Sequence, residues 1–415
     1  MTSQSAIRNP QSAIGHRALA ANATRATQPT DSFATDLITR MVETPSLSGQ
    51  EHHVAAYLAS QMQALGFAAE VDEAGNAVGV VPHSPPPDGR TKDLICLGHM
   101  DTVPGNIPIR IESRGEDRIL HGRGSVDAKG PLAAFTVAAA RAKLPPGVRL
   151  IVIGATEEEA ASSKGARFAL TQYKPAACII GEPSHWDGVT LGYKGRLLAE
   201  YSLEMPCHHS AGPDPSAPEL ASAWWEAVKR YVATLNESRR SPFEIVQAAL
   251  RTINTESDGL YDRVRAVVGF RLPVGIDPNE IARMCVELGR VPRPILGPCL
   301  TDAGIQAPHD DAQWTPTVEC TGPELAWASD RNNMLVRAFT NSIRAVGGTP
   351  RPRLKTGTSD MNVVGPVWNC PIVAYGPGDS SLDHTPNEHL SLNEYLRSID
   401  VLVGAIERAA ADLTQ

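Results

Sequence analysis

Along this chain the spacing of apolar positions changes period several times, and each change marks a different kind of element. Positions 32–42 and 50–65 carry apolar residues three and four apart and read as amphipathic helices. Asp31 is the expected N-cap of the first, Thr44-Pro45-Ser46 breaks it, and Gly66 ends the second. Beyond them, short near-continuous apolar runs at 94–97, 149–154, 177–180 and 371–375 read as buried strands, with helices at 131–142 and 164–173. Strands without polar alternation, separated by helices, predict an α/β fold with a mainly parallel sheet covered on both faces.

The texture changes between 193 and 322. A strand at 196–205 leads to a helix at 218–237 with Pro218 in its first turn. Strands around Thr252 and at 265–272 follow, then a helix at 278–288. This β-α-β-β-α order predicts a smaller α+β domain of ferredoxin-like type, inserted into the larger one. A helix at 332–345 and the strand at 371–375 return the chain to the main sheet. The expected division is therefore an extension at 1–30, a larger domain formed by 31–192 and 323–415, and the smaller domain at 193–322. Trp224-Trp225 in the long helix reads as core or interface.

Composition narrows the class. With 415 residues there is enough chain for two domains. A net charge of −8 argues against a nucleic-acid binder. Seven cysteines (Cys96, Cys178, Cys207, Cys285, Cys299, Cys320, Cys370) are scattered with no C-x-x-C, which points to a reducing, cytoplasmic setting rather than a disulfide framework. No apolar span is long enough for a membrane helix. The first thirty residues are polar, repeat Gln-Ser-Ala-Ile at 4–7 and 11–14, lack the apolar core of a secretory signal and read as a disordered extension.

The candidate chemistry lies just past the strand ends, where open α/β sheets bind ligands. Run 94–97 delivers His99 and Asp101, which leave one face of an extended segment, so the acid can stand behind the imidazole. Run 149–154 is followed by Glu157-Glu158-Glu159, 177–180 by Glu182, and 371–375 by Asp383-His384. Asp127 sits in a glycine-rich turn before a helix. Acids converging on one edge repel unless cations hold them, and a histidine–carboxylate set without thiolates suits two ions of zinc, cobalt or manganese.

The ordered set GHMDTVPG, GRGSVDAKG, TEEEAASSKGAR, GEPS, HSAGP, KTGTSDMN and DHTPNEHLS resembles the dizinc metallopeptidase and deacylase family. That family includes acetylornithine deacetylase, succinyl-diaminopimelate desuccinylase and aminoacylase. Within it, EEEAASSKGAR, GYKGR and KTGTSDMNVVG are most similar to the branch that releases lysine or ornithine from an acidic amino-group carrier protein, in amino-acid biosynthesis. The resemblance implies a catalytic larger domain, a smaller domain that pairs two copies into a homodimer, and two divalent metal ions. It implies His99 and His384 as ligands of different ions, Asp127 as their bridge, and Glu159 and Glu182 completing the set. Asp101 would support His99, and Glu158 would be the base that takes a proton from the attacking water, although three consecutive glutamates permit a one-residue slip. His209 would stabilise the oxyanion from a neighbouring subunit; His208 could fill the same role, and motif register favours His209. Asn254, Arg271, Gly357, Thr358 and Ser359 would contact the substrate.

Two other readings compete with this one. A deacetylase of free N-acetyl-ornithine or N-acetyl-lysine, or a dipeptidase, would use the same site. A noncatalytic homologue would lack the base or a ligand, and every such position is filled here. Arg351, Arg353 and Lys355, with Lys194 and Arg196, read as a basic strip able to dock an acidic carrier.

Overall fold

The computed structural model describes residues 28–86, 89–209, 211–212, 214–290 and 315–415. The chain opens with α1 (Asp31–Glu43), α2 (His52–Ala64), β1 (Ala68–Val71), β2 (Ala77–Val80) and β3 (Lys92–His99). A hairpin, β4 (Arg110–Arg114) and β5 (Asp117–His121), precedes α3 (Lys129–Arg141), β6 (Val148–Ala155), α4 (Lys164–Gln172), β7 (Ala177–Gly181) and β8 (Gly188–Tyr193). Then come β9 (Gly195–Pro206), α5 (Ala217–Leu235), β10 (Gln247–Ser257), β11 (Tyr261–Leu272), α6 (Pro278–Arg290) and β12 (Thr317–Glu324). The last stretch holds β13 (Trp327–Ala328), α7 (Met334–Ala345), β14 (Arg351–Lys355), α8 (Asp360–Trp368), β15 (Ile372–Tyr375), β16 (His389–Ser391) and α9 (Leu392–Thr414).

Nine strands make one sheet in the order β1-β2-β6-β3-β7-β15-β8-β13, with β14 beside β8. Its centre, β6-β3-β7-β15, is parallel throughout. β3 explains why: Leu94 and Cys96 join a core under α1, α2, α3, α7 and α9, while Ile95 and Leu97 join a second core under α4 and α8. A strand buried on both faces must be apolar at every position, which is the pattern read at 94–97. Parallel strands also end together, so the residues after β3, β6, β7 and β15 gather at one edge.

A second sheet, β10-β11-β9-β12, is antiparallel, with α5 and α6 on one face. Its βαββαβ order and strand sequence are those of a ferredoxin-like unit. β9 alternates strictly, burying Leu197, Ala199, Tyr201, Leu203 and Met205. Trp224 is core: it stacks near Tyr201 and its Nε1 donates to the Cys285 carbonyl at 3.1 Å. A third sheet, β16-β5-β4, flanks the main one.

Several element ends differ from the sequence expectations. Thr30, not Asp31, caps α1, its Oγ1 accepting from Phe33 N at 3.2 Å, because Asp31 is drawn into an ion pair with Arg141. Apart from residues 28–30, the expected 1–30 extension lies outside the described residues, as does Cys299. The other cysteines are free thiols, and no described helix is long and apolar enough to cross a membrane.

Candidate dinuclear metal centre

The C-terminal ends of β3, β6 and β7, the turn before α3 and the loop after β15 bring six predicted residues together. Donor atoms of His99, Asp127 and Glu182 lie within 4.8 Å of one another; so do those of Asp127, Glu159 and His384. Asp127 belongs to both groups and spans them: Oδ1 is 3.2 Å from His99 Nε2, and Oδ2 is 3.1 Å from His384 Nε2. His384 Nε2 is also 2.9 Å from Glu159 Oε1. Glu158 falls in a third group with His99 and Glu159.

The glutamate run is sorted by backbone hydrogen bonds. Asp101 is fully buried, and its two oxygens accept from Glu158 N and Glu159 N, both at 3.0 Å. Ser48 Oγ donates to Asp101 Oδ2 at 2.7 Å, and His99 Nδ1 lies 3.4 Å from Asp101 Oδ1. Asp101 thus backs the imidazole and holds the glutamate loop at once. Glu157 adopts φ 58°, its N–H bonds Glu51 Oε1 at 2.9 Å, and its own carboxylate accepts from Ser162 Oγ at 2.6 Å. It points away from the cluster.

The electrostatics ask for positive charge. Burial, then the charge of Asp127, pushes Glu182 up to about 8, and burial holds Glu158 well above the usual carboxylate range. Burial works to raise Asp127 too, but hydrogen bonds from His384 and His99 overcome it and keep the carboxylate ionised. The same bonds, first to Asp127 and then to Glu159, raise His384 to about 10. Asp383 beside it is pushed up to about 9 by burial, and its Oδ1 has no partner among the described residues. Crowded oxygen and imidazole donors, an orphaned carboxylate oxygen and one carboxylate shared between two groups fit a pair of divalent cations.

The sequence signature of peptidase family M20/M25/M40 matches residues 95–408, three quarters of the chain including every residue of this cluster. The chain belongs to that family. A [LysW]-lysine hydrolase of Deinococcus radiodurans is 44% identical over 387 residues, covering 92% of this chain and 98% of its own. A [LysW]-lysine/[LysW]-ornithine hydrolase of Saccharolobus islandicus is 27% identical, covering 76% and 81%. Among solved structures, a tripeptidase of Staphylococcus aureus superposes with a TM-score of 0.71 at 16% identity, over 93% of this chain and 100% of its own, which is a likeness of fold.

Not every predicted residue of this M20 chain reaches the cluster. Arg271 Nη1 donates to Thr358 Oγ1 at 3.1 Å across the gap between the two sheets. Gly357 adjoins Thr358, with open space where a Cβ would stand. Ser359 is buried and spends its hydroxyl capping α8, accepting from Met361 N at 3.2 Å. His209 is exposed beyond the far end of β9, which carries it roughly 35 Å from Gly195 at the usual strand rise. Asn254 is exposed on β10, seven residues beyond Gln247, the register partner of Arg271. Both sit away from the cluster of their own chain. His208 instead places Nε2 3.3 Å from the Pro215 carbonyl.

Burial takes the lysines out of the basic strip. Lys194 is fully buried, and its Nζ donates to the Ile245 carbonyl at 2.7 Å and Gln247 Oε1 at 2.9 Å. Lys355 turns inward to the Pro183 carbonyl, and Arg351 pairs with Asp187. A strand pairing with β8 forms where a free charged run was expected.

Other contributors escaped the sequence reading. Glu388 is fully buried; Oε1 accepts from Val126 N at 3.0 Å and Asp127 N at 3.1 Å, and Oε2 binds Arg123 Nη1 at 2.7 Å. It sits four residues after His384 in DHTPNEHLS, so the motif held it without showing its role. Ser48 and Glu51 carried no sequence signal.

Proposed function

We propose that this chain is a two-cation amide hydrolase that releases lysine or ornithine from the terminal glutamate of an acidic carrier protein, in the cytoplasm. The observation that carries the reading is Asp127 standing between two donor groups with Glu158 alongside, in a chain 44% identical over nearly its whole length to a [LysW]-lysine hydrolase. One ion is assigned to His99, Asp127 and Glu182, the other to Asp127, Glu159 and His384.

Cations so held would polarise the amide carbonyl and acidify water. Glu158, kept proton-hungry by its burial, takes the proton of the attacking water and passes it to the leaving amine. Asp101 holds the Glu158 and Glu159 backbone so that base and ligand keep separate places. Arg271 and Thr358 receive the carboxylate of the departing amino acid. His209 and Asn254 serve the neighbouring subunit of a homodimer, His209 as the oxyanion donor. Support for this comes from their distance from their own cluster and from β10, an edge strand exposed from Arg251 to Ser257 and open to pairing.

The test is a hydrolysis panel after loading with zinc or cobalt: a peptide ending in glutamate-linked lysine, N-acetyl-lysine, N-acetyl-ornithine and succinyl-diaminopimelate. The glutamyl-lysine peptide should be cleaved with the highest kcat/KM. Faster cleavage of an N-acetyl substrate would make the chain a deacetylase.

A further inference from the structure

Arg196 and Arg271 are register partners on β9 and β11. Their neighbours Leu197 and Leu272 are buried under α5 and α6, so strand alternation turns both arginines to the opposite face, towards the larger unit. Arg271 reaches Thr358. Arg196 lies on the other flank: its Nε is 3.9 Å from where a Cβ on Gly322 would stand, and the Ala161 Cβ is 3.8 Å from that same point. Ala161 follows Glu159 by two residues, so the arginine pair borders the loop that carries the candidate base.

These two guanidiniums lack the partners that others have. Arg123, Arg141 and Arg149, all partly buried, each hold a carboxylate. Among the described residues neither Arg196 nor Arg271 has a carboxylate hydrogen-bonded to it, and Arg196 Nε is buried without any partner. Glu324, opposite Arg196 on β12, is hydrogen-bonded by Arg167 and only feels the Arg196 charge from nearby. The surrounding protein, then the charges of Arg196 and Arg251, lower the Arg271 pKa. Like charges gathered at a cleft, with planar donors left over, make a receptor for carboxylates.

We propose that Arg196 and Arg271 form a two-pronged carboxylate site, Arg271 taking the carboxylate of the amino acid to be released and Arg196 the free carboxylate of its acyl donor. The inference rests on the hydrolase reading above and deepens it. Lysine acylated by a terminal glutamate, through either carboxyl of that glutamate, keeps one free carboxylate on each side of the scissile amide. N-acetyl-lysine keeps one in all. The pair would therefore select for a glutamyl donor.

The test compares two peptides ending in glutamate-linked lysine, one with the free glutamate carboxylate and one with it converted to carboxamide, on the native metal-loaded enzyme and on Arg196→Gln. Amidation should lower native kcat/KM about tenfold or more, chiefly through KM. Arg196→Gln should lose a similar factor on the free-carboxylate peptide and little on the amidated one, with Arg196→Lys in between and metal content unchanged. Equal native rates on both peptides, or an equal loss on both in Arg196→Gln, would overturn the assignment while glutamyl-lysine hydrolysis stands. Cleavage of N-acetyl-lysine but of neither peptide would overturn the substrate reading, and this proposal with it.

Discussion

Glu157, Glu158 and Glu159 are chemically identical and stand in three environments because of what their backbone N–H groups bond. Glu51 takes the first, and the two oxygens of Asp101 take the others. This sorting gives a sharp expectation. Glu158→Gln should abolish turnover with both ions retained, whereas Glu159→Gln should lower the metal-to-protein ratio measured by plasma emission. The reverse pattern would move the assignment by one residue. Glu388 acts at one remove, through the backbone of Val126 and Asp127. Glu388→Gln should weaken metal binding roughly 10- to 100-fold in a chelator competition while the melting transition stays cooperative. The cluster was legible because histidines and acids just past apolar strands are an uncommon combination. Ser48 and Glu51 were not, since serine and glutamate are ordinary loop residues until the fold carries them to Asp101 and Glu157. Lys194 shows the same blindness reversed: a lysine reads as surface, and only tertiary structure reveals its burial and the two acceptors it meets.

At the scale of elements, the apolar runs foretold the strands of the parallel centre, because burial on both faces leaves no polar positions. Other strands lacked that signal: β8 contains Gly188 and Gly192 among its six residues, and β4 is largely exposed. α9 went unassigned although its buried Leu392, Tyr395, Ile399, Leu402 and Ile406 recur at helical spacing. One packing detail connects element to site. Gly98 and Gly181 are register partners on β3 and β7, and a Cβ on Gly181 would stand 2.9 Å from Phe135 Cε2 and 3.0 Å from Gly98 Cα. Their bareness lets α3 lie close against the sheet, with Asp127 at its entry beside the ends of both strands. Gly181→Ala should therefore cost about 1–3 kcal/mol in urea unfolding and reduce metal occupancy as α3 is displaced. Loss of stability with full occupancy would separate the packing from the site.

At the scale of the molecule, the proposal that His209 serves a neighbouring subunit predicts complementation. Glu158→Gln and His209→Ala chains, each inactive alone, should regain activity when mixed under conditions of subunit exchange, because some heterodimers hold one complete site. Mixed dimers without activity would return His209 to a role within its own chain. An acidic carrier also predicts a salt signature: its hydrolysis should fall steeply with ionic strength while a small glutamyl-lysine peptide changes little. Charge reversal at Arg353, whose neighbour Arg351 already has Asp187, should imitate added salt. Equal salt slopes would count against electrostatic docking.

β9 is also a lever. It runs as one unbroken twelve-residue strand from Gly195 to Pro206, with the buried ammonium of Lys194 clamped just before its start and His209 beyond its tip. Over an arm of roughly 35 Å, a 10° swing about Lys194 moves the tip by about 6 Å. That exceeds the reach of a hydrogen bond twice over, so under the shared-site proposal the pitch of one strand would decide whether His209 reaches the neighbouring site.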